Sequence, residues 1–453
     1  MNTLQAAYGY PRKYQTASQT GGSVSFPGET DCLTSGERMD SLKPHNSDTI
    51  GTTTAGNPDD HSSTIDFVRY FAEQFRIPPR YAIEVDAGNS PIHLKENDLT
   101  PLGHSSYTVF DVPDYMQTRI ISFPGNRAKR ITVPRYRGFL MDLTKQVDTD
   151  DYLTACFGKS TRSRFRKYQK RLELCFDIRY CMYYGEIELA EYNRLFDCLR
   201  LMLQRRFDQK KVVNGELEKM DYYRQITYQR ILNREASIFV IYDGDKPIDI
   251  NINYLRNQLV FSYMNGFDID YSKFNLGMID LIKLLEWSYE QGFRAIDLLK
   301  GDFEYKRRWS NHIYRHESHF VYNPDSVFSY LMALLKSIIQ ARIPQGILYF
   351  KKWNLHLVYK KIQSWRFKQY RPDEQDSFPF EVIPETEQES REVKQAKSIN
   401  LKDEQYSFLR GPVYDLLYSN PEPLQQMQIY ELEAMSSYLL SGSKFQWRIV
   451  KTD

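Results

Sequence analysis

The fold is decided by residues 236–309, which read ASIFVIYDGDKPIDININYLRNQLVFSYMNGFDIDYSKFNLGMIDLIKLLEWSYEQGFRAIDLLKGDFEYKRRW. Its apolar runs and turn residues predict three consecutive strands, at Ala236–Tyr242, Pro247–Leu255 and Leu259–Phe267. A helix over Met278–Gln291, ended by Gly292, and a further strand over Phe293–Leu299 follow. Any functional site in this region must be built on this order of strand, loop, helix and strand.

The loop between the third strand and the helix carries Asn275, Leu276 and Gly277. A helix start presents backbone N–H groups that have no partner within the helix, and the helix dipole adds partial positive charge there. Such a corner suits a phosphate or a pyrophosphate group. The alternative is structural, with Gly277 simply easing a tight loop into the helix.

The second strand alternates strictly between apolar and polar residues. Ile248, Ile250 and Ile252 point to one face, while the intervening positions 249, 251 and 253 hold Asp, Asn and Asn. Because successive strand residues point to opposite faces, one face is predicted to be core and the other wet or functional.

The order hairpin, strand, glycine loop, helix, strand resembles the GNAT superfamily of N-acyltransferases. The resemblance is closer to the CelD-like acetyltransferase branch, named for cellulose biosynthesis and related to the Fem peptidoglycan-bridge transferases. It rests on residues 158–166, on GFDIDYSKFNLG at 266–277 and on DLLKGDFEYKRRW at 297–309. The fold it implies is α/β, with a mixed, mainly antiparallel sheet flanked by helices. The N-terminal half is interpreted as a possible degenerate copy in a tandem pair.

The resemblance implies acyl-CoA, such as acetyl-CoA, as the donor. Its pyrophosphate is expected at Asn275, Leu276 and Gly277, with Lys273 and Lys306 beside it, or Lys306 may instead orient the acceptor. Amide formation needs a base for the ammonium acceptor and an acid for the departing thiolate. Glu304 or Asp297 is the predicted base, and Tyr305 is the predicted acid. The acceptor is expected to be an amine of a sugar or a cell-envelope precursor, which places the protein in polysaccharide biosynthesis.

Two alternatives stay open, because the donor loop has one glycine where acetyltransferases have two. A Fem-like enzyme would take an aminoacyl group from charged tRNA, held by the basic helix that starts near Ser160. Arg162, Arg166 and Lys170 share one face of that helix, although a solvated surface is the more ordinary interpretation. An inactive scaffold that binds a carbohydrate or an anionic surface is the second alternative.

Composition and motifs limit other functions. Net charge is only +2, and the five cysteines have no CxxC spacing, which favours a reduced, cytoplasmic environment. No metal site is expected from His312, His316 and His319, because a strand would place the third on the opposite face. No signal peptide is expected, because residues 1–10 lack an apolar core, and no apolar run is expected to be long enough to span a bilayer.

Five regions are predicted along the chain. A flexible arm covers residues 1–62, an N-terminal α/β subdomain 63–150, and the GNAT-like domain 151–323. A basic amphipathic helical extension covers 324–370, and an acidic linker and a segment without clear pattern cover 371–453. The extension could cap the domain or lie on an anionic membrane, so a peripheral location at the inner membrane face and contact with polysaccharide-synthesis machinery are possible.

Overall fold

The computed structural model describes residues 64–73, 80–83, 101–211, 215–352, 380–384, 396–432, 437–443 and 445–451. Side chains are described only to residue 343 within the range that ends at 352. The predicted N-terminal arm, 1–62, lies outside these ranges, as do residues 353–379 of the predicted extension and linker.

The elements alternate between strands and helices along the chain. The first part contains β1 (Thr64–Asp66), α1 (Phe67–Ala72), β2 (Tyr81–Ile83), β3 (Ser106–Pro113), β4 (Thr118–Ile120), β5 (Lys129–Asp142), α2 (Thr149–Cys156) and α3 (Lys159–Cys175). The middle contains β6 (Ile178–Tyr183), α4 (Leu189–Gln209), α5 (Met220–Leu232), β7 (Ala236–Asp243), β8 (Lys246–Arg256), β9 (Leu259–Phe267), α6 (Leu276–Glu290), β10 (Ala295–Lys300), α7 (Glu304–Trp309), β11 (His312–Tyr322) and α8 (Val327–Lys352). The last part contains β12 (Phe380–Pro384), β13 (Lys397–Ser398), α9 (Arg410–Ser419), β14 (Gln428–Leu432), β15 (Ser437–Ser441) and β16 (Gln446–Lys451).

A nine-stranded sheet organises the molecule, in the order β1-β3-β11-β5-β10-β9-β8-β7-β6. Only the pairs β1/β3 and β9/β10 are parallel; the other neighbours are antiparallel. The predicted mixed, mainly antiparallel sheet flanked by helices is therefore confirmed. The sheet runs without interruption through the predicted N-terminal subdomain and the predicted GNAT-like domain. The interpretation of the N-terminal half as a degenerate copy stays a prediction.

The alternation along β8 places different side chains under different helices. Ile250, Ile252 and Tyr254 share a core with residues of α4 and α5, while Leu255 at the end of the strand packs in the core under α6. The polar positions are buried as well, with Asp249, Asn251 and Asn253 all fully buried. The face that the alternation marked as wet or functional is therefore not open to solvent.

The C-terminal segment, which showed no clear sequence pattern, forms a second sheet in the order β12-β16-β15-β14-β13. Its strands have two to six residues, too short to produce a convincing periodicity. β12 lies inside the predicted acidic linker and pairs with β16. Among the described residues, no helix combines the length and the apolar character needed to cross a bilayer.

Gly138 provides a test of the sheet packing. A Cβ atom at this position would lie 2.0 Å from Cζ of Tyr314, which is fully buried. We expect Gly138→Ala to lower the free energy of unfolding by about 1–3 kcal/mol, because the ring must move within a packed core. Urea denaturation measures this. Gly215→Ala, where nothing lies within 4 Å, should change it by less than about 0.5 kcal/mol; equal effects would contradict the packing described.

Candidate active site

β9 and β10 are parallel neighbours that pair only where they begin. Their pairing runs from Leu259 opposite Ala295 to Phe261 opposite Asp297, although both strands continue beyond these positions. β9 also carries a bulge at Tyr263, visible as a register shift against β8. Bulges bend and twist a strand. The two strands therefore separate beyond Phe261 and Asp297, which leaves a gap between them.

α6 begins at the same end of the sheet, directly after β9. A 3₁₀ turn at Ile269–Phe274 leads to Asn275, whose φ of 59° and ψ of 52° are left-handed. No side chain caps the helix start, and its first turn has no acidic residue. A Cβ on Gly277 would meet nothing within 4 Å. Within the described residues, no side chain therefore occupies the space in front of Gly277.

The C-terminal region forms one flank of this corner. Rings of α9 pack against the turn before α6, with 4.7 Å between the centroids of Tyr414 and Tyr271 and 5.3 Å between those of Tyr418 and Phe274. Lys273 is exposed at this boundary, and its Nζ lies 3.9 Å from a carboxylate oxygen of Asp415. Lys273 is thus beside the helix start and near the surface.

Lys306 belongs to α7, and its ammonium reaches back to the end of β10. Its Nζ donates to the carbonyl oxygens of Leu298, at 2.5 Å, and of Lys300, at 2.7 Å. Both carbonyls follow Asp297, the last residue of β10 that pairs with β9. Burial lowers the pKa of Lys306 to about 8, opposed by the charge of Asp297. Its ammonium therefore supports the backbone that diverges from β9, in addition to any contact with a ligand.

The other two residues of the predicted cluster begin α7. The side chain of Glu304 is 85% exposed, and a carboxylate oxygen lies 3.9 Å from Nη1 of Arg308. Tyr305 is 40% exposed. Burial, together with the negative charge of Asp280, raises the pKa of Tyr305 above its ordinary value. The raised pKa keeps Tyr305 protonated at neutral pH, so it holds a proton to donate, but it also makes the phenol a weaker acid.

Asp297 is fully buried and does not join this cluster. Its carboxylate accepts hydrogen bonds from Tyr115 Oη at 2.8 Å, from Tyr314 Oη at 2.9 Å and from the N–H of Leu299 at 2.8 Å. Burial raises its pKa to about 6 despite these bonds. Ile296 and Leu298 belong to the core under α6, so alternation places Asp297 on the opposite face of β10.

A row of buried polar side chains lies between the sheet and α6. Asn251 Nδ2 donates to Asp280 at 2.8 Å, and Asn265 Nδ2 donates to Asp249 at 3.2 Å. Burial raises the pKa of both aspartates, and the charge of Asp249 raises that of Asp280 further. Within the described residues, Oδ1 of Asn251, of Asn253 and of Asp280 has no hydrogen-bond partner. We refer to Asp249, Asn251, Asn253, Asn265 and Asp280 as the buried polar row.

Arg206, near the end of α4, is close enough to Tyr305 and Asp249 for their charges to act on its pKa. Its guanidinium lies over the ring of Phe267, 4.5 Å from the centroid. Burial lowers its pKa, and the charges of Tyr305 and Asp249 oppose that effect. Sequence patterns indicated Asp249, Asn251 and Asn253 through the alternation of β8. They gave no signal for Arg206. They gave none for Asp280 either, because it is a single acidic residue within an apolar stretch of its helix.

The basic helix and the histidines are placed as follows. Arg166 and Lys170 are exposed on α3, while Arg162 donates to Thr154. His316 Nδ1 lies 3.3 Å from the carbonyl oxygen of Asp111, and His319 lies between Tyr81 and Glu317. No group of three or more His, Cys, Asp or Glu residues suited to a metal ion occurs in the described part of the chain.

Comparison with known families finds one match. Residues 159–307 match the family model described as an acetyltransferase (GNAT) domain. The matched region includes the basic helix, the divergent strands, α6 and most of α7. This third of the chain is thus similar to GNAT acetyltransferase domains, while the CelD-like branch stays a prediction. No curated protein matches the chain.

Several solved structures are distantly similar. A conserved protein of unknown function from Bacteroides thetaiotaomicron shows 11% identity over 48% of this chain and 69% of its own, with a TM-score of 0.31. FemX shows 9% identity over 47% and 71%, with a TM-score of 0.34. A tandem GNAT protein from the clavulanic acid biosynthesis pathway shows 12% identity over 48% and 63%, with a TM-score of 0.26. Similarity at this level says nothing about substrate or activity.

The buried carboxylate of Asp297 predicts a pH effect on stability. Its pKa is about 6 in the folded protein, against an ordinary value of 3.8. The folded state therefore holds the proton more tightly, and wild-type stability falls as pH rises from about 4 to about 6. Asp297→Asn removes this loss, so its free energy of unfolding relative to wild type should rise by up to about 3 kcal/mol between pH 4 and pH 7.

Urea titrations of both proteins at the two pH values measure this difference. Asp302→Asn is the control, because the pKa of this exposed aspartate is lowered by its bond from Arg307. That group titrates below pH 4, so its difference from wild type should stay flat over the same range. A flat difference for Asp297→Asn as well would show that its carboxyl is not held protonated by burial.

Proposed function

We propose that this protein transfers an acyl group from acyl-CoA to an amine of a sugar or of a cell-envelope or polysaccharide precursor. One observation carries the proposal: the open start of α6 adjoins the gap between β9 and β10. An uncapped helix start suits a diphosphate. Unpaired strand edges suit a ligand arm that contains amide groups. Acyl-CoA has a diphosphate and such an arm in series.

In this proposal the donor diphosphate binds at Asn275, Leu276 and Gly277, with the Lys273 ammonium beside it. The N–H groups of Leu276 and Gly277 are the donors, because that of Asn275 donates to the carbonyl oxygen of Ser272 at 3.2 Å. The pantetheine arm then runs along the free edge of β9 toward Tyr305. Lys306 and Asp297 act as positioning residues, because the first holds two carbonyls of β10 and the second holds two tyrosines and a backbone N–H. Holding both substrates in register supplies much of the rate enhancement.

The chemistry needs three proton transfers. The acceptor ammonium loses a proton to Glu304, which is exposed at the start of α7, and the free amine attacks the thioester carbonyl. The carbon–sulfur bond breaks as the amide forms, and Tyr305 donates its proton to the departing thiolate. The nitrogen loses its second proton to the Tyr305 phenolate, which restores the phenol. The acid pair in the buried polar row and Arg206 set the charge around Tyr305.

The tRNA-dependent alternative uses the same scaffold with another donor. The exposed Arg166 and Lys170 of α3 would bind phosphates of charged tRNA, and that binding would weaken steeply with salt. A third possibility is a binding scaffold without activity. A cytoplasmic location, contact at the inner membrane face and contact with polysaccharide-synthesis machinery also stay predictions.

Gly277→Val tests where the donor binds. Acetyl-CoA should raise the melting temperature of the wild-type protein, because a ligand that binds only the folded state stabilises it. The valine side chain would occupy the space in front of the N–H groups, so we expect at least a tenfold loss of acetyl-CoA affinity, roughly 1.4 kcal/mol, with the fold intact. Thermal-shift titration measures both.

Gly158→Val is the matched control, since Gly158 also begins an uncapped helix and has nothing within 4 Å. It should retain the response to acetyl-CoA. Undiminished affinity in Gly277→Val would place the diphosphate elsewhere. A response of the wild type to bulk tRNA alone would favour the Fem-like alternative, and a response to neither would favour the scaffold.

Tyr305→Phe tests the proton donor. Loss of a general acid typically lowers the rate by about 10²- to 10⁴-fold, so kcat should fall by that order while KM for acyl-CoA changes little. Release of free CoA thiol in steady-state assays measures both constants. Tyr330→Phe is the control, because Tyr330 has the same exposure, 41% against 40%, and lies on α8. An unchanged kcat in Tyr305→Phe would remove this residue from the chemistry.

A further inference from the structure

α8 carries its large apolar side chains on the side that faces away from the sheet. Ser329, Ala333 and Ser337 are its buried residues, and Ala333 packs with Val133 and Phe320. The exposed residues include Val327, Phe328, Leu331, Leu335, Ile338, Ile339 and Ile343. A helix on the surface of a soluble domain normally shows the reverse arrangement. Contiguous exposed apolar residues of this kind mark an interaction surface.

Hydrogen bonds hold α8 in this orientation. Ser329 Oγ donates to the carbonyl oxygen of Ser105 at 2.5 Å and accepts from the N–H of Asn323 at 3.0 Å. Two turns further, Lys336 Nζ donates to the carbonyl oxygen of Ser106 at 3.3 Å. Rotating the helix to bury its apolar face would break these bonds and leave polar groups unpaired. The outward apolar face is therefore fixed by the polar inner one.

The segment that contains α8 is also strongly basic. Residues 326–372 contain nine Lys and Arg residues and no Asp or Glu, while the whole chain has a net charge of only +2. Two of the nine, Lys351 and Lys352, end α8, and Arg342 is exposed on it. Such clusters next to an apolar helix face attract anionic lipid headgroups.

We propose that α8 lies in the plane of an anionic membrane surface, with its outward apolar side chains at the boundary between headgroups and acyl chains. A second copy of the chain fits the surface less well, because a two-fold contact would bring two such basic segments together. The lysines and arginines would contact lipid phosphates and so add a dependence on salt. This surface is separate from the acyl-transfer site and does not depend on the function proposed for it.

Co-sedimentation with vesicles tests the proposal. The full chain should sediment with vesicles of phosphatidylcholine and phosphatidylglycerol at 3:1, less so with phosphatidylcholine alone, and less as NaCl is raised. The double substitution Leu331→Ser and Leu335→Ser should lower the partition coefficient by at least roughly tenfold, because it removes two apolar side chains from the contact. The melting temperature should not fall, since both residues are exposed at 53% and 54%.

The matched control is Leu189→Ser with Leu201→Ser on α4, where the leucines are 54% and 61% exposed. These substitutions should leave vesicle binding unchanged. Equal binding to neutral vesicles, no binding to anionic ones, or full binding by the α8 variant would each overturn the proposal. Light scattering completes the test: a wild-type dimer that the α8 variant dissociates, without lipid binding, would assign the surface to a second copy.

Discussion

The divergence of β9 from β10 is the constraint on which the rest of the molecule depends. Parallel neighbours usually stay paired, because each backbone amide and carbonyl needs a partner. β10 instead stays with β5 through a register shift that ends with Lys300 opposite Gly138. Leu299 takes a φ of 62° in this shift, which costs about 1–2 kcal/mol in a residue other than glycine. The bonds of Lys306 and Asp297 to this backbone offset that cost.

The buried polar row follows from this divergence. Because β9 leads into α6 through one short turn, the helix covers the first half of β8, where Asp249 and Asn251 lie. A core built only for stability would place apolar side chains at these positions. Burial removes water from the carboxylates, and hydrogen bonds from neighbouring amides compensate only in part. The unpartnered oxygens of Asn251 and Asn253 show how incomplete that replacement is. Polar groups kept at such cost beside an open gap are more readily explained by function than by folding.

The sequence predicted local structure well and the relations between distant elements poorly. The strands at 236–267 and the helix after Gly277 lie close to where apolar periodicity and turn residues placed them, because these patterns report local burial. It could not show that Asp297 points away from Tyr305, or that the Lys306 ammonium bonds to two carbonyls. Both facts depend on how β10 pairs with β5, strands about 150 residues apart in the chain. Arg206 was missed for the same reason.

α8 shows a different limit of sequence patterns. Periodicity identifies an apolar face, but it does not determine whether that face turns toward the sheet or toward solvent. The orientation depends on the surface against which the helix packs. Here the partner offers the backbone of Ser105 and Ser106, and the small polar residues of α8 meet it. The net charge of the whole chain is misleading in the same way. A total of +2 conceals nine Lys and Arg residues in a segment without Asp or Glu, so the rest of the chain is acidic. Anionic lipid would repel the acidic rest of the chain and attract only this segment. The charge distribution would therefore also determine which side of the molecule approaches a membrane.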